Sequence, residues 1–134
     1  MNKVKLFLII LSFITLISTI GCTPKAESTV PVTSQCQAVD LAKENIPNSI
    51  IPKITANGAD TNSDGQWFVD FVFLDKNNLV NRDELTGKNF QIDEGNTFNL
   101  IIVLINKQTG TIVKKTATNG VVPGSPTFWV DCDN

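Results

Sequence analysis

The chain has 134 residues, of which 42% are hydrophobic and 18% charged, and its formal net charge is −2. That is one domain's worth of chain with one modest core, and it excludes both a disordered chain and a polytopic membrane protein. With no His and no Tyr, His triads, His metal sites and acid–base catalysis by either residue are excluded. The cations Lys43, Lys76, Arg82 and Lys107 are scattered. A mildly acidic chain without a Lys/Arg cluster is not read as a nucleic-acid binder.

The N-terminus has the three parts of an export signal. Lys3 and Lys5 form a positive start, and residues 6–20 are an apolar stretch diluted by Ser12, Thr15, Ser18 and Thr19. Fifteen residues are short for a span, which needs about 20. Thr19-Ile20-Gly21-Cys22 resembles the lipobox of bacterial lipoproteins, with Thr19 where that family usually has Leu. The resemblance implies that Cys22 is lipidated and becomes the mature N-terminus. It also implies an exported protein, anchored to the cell membrane or outer membrane with its domain outside the cytoplasm. A plain secretory signal or an uncleaved anchor helix are the other readings. The expected organisation is a signal over 1–21, the lipidated Cys and a Thr/Ser/Pro-rich tether over 22–34, and a single domain over 35–134.

Lipidation of Cys22 leaves Cys36 and Cys132. An even remainder in an exported chain predicts a disulfide between them, the alternative being two free buried thiols.

Within the domain, Ser34 with Gln37 three residues on reads as a capping box. Ala38, Val39, Ala42 and Ile46 recur at helical spacing until Pro47, which predicts an amphipathic helix over about 35–46. Residues 50–54 predict a strand that Pro52 confines to an edge or a bulge, and 57–65 read as a polar turn. Residues 66–74 are a strong strand, with Trp67, Val69, Phe71 and Phe73 on one face and Phe68, Asp70, Val72 and Leu74 on the other. Residues 75–96 read as a long loop with a small hairpin around Phe90 and Ile92. Residues 98–105 and 111–117 make a hairpin about the turn at Gly110, and 127–130 form a last short strand. The order predicts an α+β fold: one helix on a curled antiparallel sheet of about four strands.

Ala38 and Ala42 in the opening helix, the strand Trp67-Phe68-Val69-Asp70-Phe71, and the hairpin Ile105-Asn106-Lys107-Gln108-Thr109-Gly110-Thr111-Ile112-Val113 resemble a PepSY domain. In that family the hairpin turn has Asp where this chain has Asn106. The resemblance covers about 36–117 and implies a cystatin-like fold and a non-catalytic module. It also implies inhibition of peptidases or control of local proteolysis at the envelope as the kind of activity.

Asp60-Thr61-Asn62-Ser63-Asp64-Gly65 matches the first half of a calcium loop, in which Asp60, Asn62 and Asp64 would supply side-chain oxygens and Gln66 its carbonyl. The twelfth position is Phe71 rather than Glu, and a strand follows where a helix belongs. The competing reading is a hairpin turn capped by Asx side chains. Asp83-Glu84 and Asp93-Glu94 are acidic pairs in a polar loop, without the burial that catalytic carboxylates need. The strand aromatics read as core, with Trp67 and Trp129 as candidates for a binding face. The expectation is a lipid-anchored envelope protein that binds another protein, a peptide or a peptidase without catalysis. The alternative is a calcium- or small-ligand-binding lipoprotein.

Overall fold

The computed structural model describes residues 29–120 and 129–132. The expected signal, Cys22 and residues 23–28 lie outside the described residues, as do Thr127 and Phe128 of the expected last strand.

Helix α1 runs Gln35–Glu44. Ser34 caps it, its Oγ accepting the Gln37 N–H at 3.2 Å. The other half of the box closes one residue earlier than the pattern predicts: Gln37 Oε1 accepts from Thr33 N–H and Thr33 Oγ at 2.9 and 3.0 Å. Ala38, Val39 and Ala42 are buried, and Asn45 donates from its side chain to the Leu41 carbonyl at 2.8 Å. Asn45 also donates its N–H back into the last turn, and Pro47 cannot extend the ladder.

Among the described residues, seven strands and one further short helix follow: β1 Ala56–Thr61, β2 Gln66–Val72, β3 Val80–Asn81, α2 Arg82–Leu85, β4 Gln91–Ile92, β5 Thr97–Phe98, β6 Leu100–Asn106 and β7 Ile112–Thr118. The main sheet has the order β1-β2-β6-β7-β4, and β3 and β5 form a separate two-stranded ribbon. The fold is α+β, but the sheet is five-stranded and mixed. β4 pairs parallel to β7 at Gln91↔Thr116 and Ile92↔Ala117, while the other pairs are antiparallel. This corrects the four-stranded antiparallel sheet expected from sequence, because two residues carry no legible alternation and β4 exists through its partner alone.

Two local expectations also change. Residues 51–53 are a 3₁₀ turn, not a strand: Ile50 is in the α region, and Pro52 sits in the first turn, where its missing N–H costs nothing. Residues 57–61, expected as part of a polar turn, belong to β1, which pairs in full register with β2. Only 62–65 remain as the turn, with Gly65 at φ 70°.

The core lies between α1 and the inner face of the sheet. Ala59, Trp67, Val69, Phe71, Ile101, Val103, Ile105 and Ala117 are buried there with Ala38, Val39 and Ala42. Full burial of a Val, Ile or Phe contributes roughly 1.5–3 kcal/mol each. Val80 and Leu85 are fully buried, with Val80 paired to the buried Phe98, so the insert expected as a loop extends the core. Val32 joins it too. Its N–H donates to Lys107 O at 2.8 Å, and its carbonyl accepts the Trp67 indole N–H at 2.8 Å.

Candidate functional site

Cys36 and Cys132 form a disulfide with Cα atoms 5.4 Å apart. It ties the first turn of α1 to the C-terminal segment, which pairs with the free edge of β1. Trp129 bridges Gly58, Val130 N–H donates to Asn57 O at 3.1 Å, and Asn57 Nδ2 donates to Val130 O at 2.9 Å. Gln35 Nε2 donates to the Ala59 carbonyl at 2.8 Å. Side chains and the C-terminal segment thus cover the β1 edge.

In the loop expected to offer oxygens to calcium, those of Asp60, Asn62 and the Gln66 carbonyl accept backbone N–H groups. Asn62 Oδ1 accepts the N–H groups of Asp64 and Gln66, both at 3.0 Å, and Asn62 Nδ2 donates to Gln66 Oε1 at 3.0 Å. Asp60 Oδ1 accepts the Thr61 N–H at 2.7 Å. Asp60 lies in β1, two residues before the turn proper. Among the described residues no group of three His, Cys, Asp or Glu side chains converges as a metal site.

Trp67 is 6% exposed. Its indole N–H is committed to Val32, and Lys107 Nζ stands over its ring at 5.5 Å, so it is a core residue that pins the incoming chain. Trp129 is half-buried on the C-terminal segment; the structure does not bring the two tryptophans together as one face.

The acidic pairs are surface structure. Burial alone would raise the Glu84 pKa, but hydrogen bonds from Lys53, the Asn81 N–H and Ser49, with the charge of Lys53, hold it below the ordinary value. The Lys53–Glu84 contact is 2.8 Å. Glu84 helps line an open cleft of about 340 Å³ with Asn81, Arg82, Asp83 and Asn96. Arg82 is occupied by the carbonyls of Gly95 and Asp93. A second cleft of about 370 Å³ has Glu44, Asn45, Lys88 and Lys115 in its wall. Lys115 Nζ donates to Asn45 O at 3.1 Å and Lys88 O at 2.8 Å and stands over Phe90 at 4.6 Å. Burial lowers its pKa. It is a staple between α1, the insert and β7.

Two features remain. Asp70 is 1% exposed, and its Oδ1 has no hydrogen-bond partner; burial pushes its pKa up to about 7. The alternation in β2 legibly places it on the face away from α1, but its burial is not legible there. The other feature is the outer edge of β7. β4 covers it only at Thr116 and Ala117, with one more bond from Asp93 N–H to Ala117 O at 3.1 Å. Residues 112–115 have no strand partner on that side among the described residues. Val113 is half exposed there, beside exposed Lys114. Comparison of the chain with protein-family models, with curated proteins and with solved structures finds no match.

Proposed function

We propose that the chain is an exported protein, lipid-anchored through Cys22 to a bacterial envelope membrane, whose domain binds an extended segment of another envelope protein without catalysis. The lipobox-type signal supports the anchor. The edge of β7 over 112–115, which has no strand partner on that side among the described residues, carries the binding reading. An unpaired row of backbone N–H and C=O groups is a template for strand addition, and side chains beside it give selectivity. Val113 supplies an apolar contact and Lys114 a positive charge at that edge, which suits a segment carrying a carboxylate. The PepSY-type reading of α1, the Trp67 strand and the Thr109–Gly110 hairpin belongs with this proposal, and it points to a peptidase or a peptidase substrate as the partner.

The test is capture from an envelope extract with the oxidised full chain as bait, beside a Val113→Lys variant whose edge is blunted by charge. A partner retained by the wild type and lost by the variant supports the edge reading. Equal retention by both sinks it, and retention of nothing counts against a stable protein partner.

A further inference from the structure

The chain enters the domain at one end of the sheet, and three contacts fix where. Val32 N–H donates to the Lys107 carbonyl at 2.8 Å, and the Val32 carbonyl accepts the Trp67 indole N–H at 2.8 Å. Two residues earlier, the Val30 carbonyl lies against Gly110. A Cβ on that glycine would stand 2.8 Å from the Val30 oxygen, with Val32 Cγ2 and Leu41 Cδ2 each at 3.6 Å. Gly110 has φ 67°, and its missing side chain leaves room for the entering backbone. Gln35 continues the path, its Nε2 donating to Ala59 O at 2.8 Å in the second half of β1.

This is the end at which β1 turns into β2 and β6 into β7. Thr61↔Trp67 and Gln66↔Asn106 are the last pairs of their ladders there. Lys107 N–H donates to Gly65 O at 3.3 Å, which joins the 62–65 turn to the 106–110 turn. The opposite end of the sheet lies the length of β2 away. That is seven residues, or about 20 Å. At that far end Phe73 N–H donates to Asn99 O at 2.9 Å, Asn99 N–H donates to Asn119 Oδ1 at 3.1 Å, and Leu74 is exposed.

Val30 is eight residues on from Cys22, a reach of at most about 29 Å. An anchor at Cys22 therefore keeps the turn end of the sheet within that distance of the lipid. For the opposite end to face the lipid, the tether would have to run back along the sheet for about 20 Å. Most of its length would then be drawn straight, which costs conformational entropy. We propose that the domain stands with its 62–65 and 106–110 turns toward the lipid surface. The inference rests on the anchor reading above and adds to it the end of the domain that meets the membrane. It also places the β7 edge. Ile112 is two residues past Gly110 and Lys115 five, so 112–115 stay within about 50 Å of the anchor, with Ile112 on the membrane side and Thr118 away from it.

The experiment uses the wild-type protein made from the full chain, ¹⁵N-labelled, recovered from the membrane fraction and placed in lipid nanodiscs, with its lipid checked by intact mass. A spin label carried on a lipid headgroup broadens amide signals steeply with proximity, and reducing the label gives the reference spectrum. The Gly65, Gln108 and Gly110 amides are expected to be attenuated several-fold more than those of Leu74, Asn99 and Asn119, and Val113 more than Thr118. Equal attenuation at the two ends, or stronger attenuation at Asn99 and Asn119, overturns the orientation, while the lipid mass leaves the anchor reading standing. Recovery only from the soluble fraction, without the lipid mass, overturns both. The readout needs no substitution, so no variant has to fold.

Discussion

Asp70 and Glu84 respond to pH in opposite directions, because burial dominates at one and pairing at the other. The folded-state pKa of Asp70, about 7, lies above its ordinary 3.8, so between those values the folded chain holds a proton that the unfolded chain has released. Its contribution is therefore largest below 3.8 and declines, by up to about 1.4 kcal/mol per pH unit, as pH rises toward 7. Glu84, lowered by Lys53 and Asn81, contributes above its ordinary pKa and loses that contribution as pH falls. Thermal melts from about pH 4 to 8 are expected to show the wild type losing stability toward neutral pH, with Asp70→Asn flatter and more stable at the neutral end. Parallel profiles for the two proteins would remove Asp70 as the source. At this scale, alternation in β2 assigns Asp70 to the face away from α1. Burial there depends on what other parts of the chain cover, which one strand's pattern does not contain.

Among the elements, α1 and the β6–β7 hairpin were legible because their signals are local. Ser34 provides a side-chain oxygen at the right offset, and Ser34→Ala is expected to cost about 1 kcal/mol in a chemical denaturation series. Asn106 Oδ1 accepts the N–H groups of Gln108 and Thr109 at 2.9 and 3.1 Å, and Gly110 takes φ 67°. An amide oxygen thus serves where the resembled family has a carboxylate. The turn at 62–65 follows the same physics, with Asn62 as the acceptor. Because that oxygen already takes two N–H groups, millimolar calcium is expected to leave Tm unchanged, while Asn62→Ala lowers stability by about 1–2 kcal/mol. A rise in Tm with calcium that Asp64→Ala abolishes would instead mean that the loop reorganises around the ion. β1 and β4 were not legible. Ala-Asn-Gly-Ala-Asp-Thr has low intrinsic strand preference, and β1 is a strand because β2 presents a complete ladder for it.

For the whole molecule, the disulfide spans 96 residues of sequence. Closing a loop of about 100 residues removes roughly 4.7 kcal/mol of unfolded-state entropy. Cys132→Ser is expected to lower stability by an amount of that order, read from denaturation midpoints with and without reductant. A variant that matches the oxidised wild type would show that the bridge adds nothing. If the N-terminal reading holds, Cys22→Ser should release the protein from the membrane fraction and abolish the mass added by lipid; unchanged fractionation and mass would refute it.

By itself the sequence determined the features whose cause is local or countable: the α1 cap and stripe, the two strong strands, the tight turn at Gly110, and the bridge expected between Cys36 and Cys132. Tertiary structure alone decided the rest. It made strands of 56–61 and 91–92, drew Val32 into the core through the Trp67 indole, and brought Trp129 to the edge of β1. It also buried Asp70 with its Oδ1 unpartnered and left β7 residues 112–115 without a strand partner on one side among the described residues. Each of these depends on contacts between residues far apart in the chain, where pairing and burial override the weak preference of a short segment.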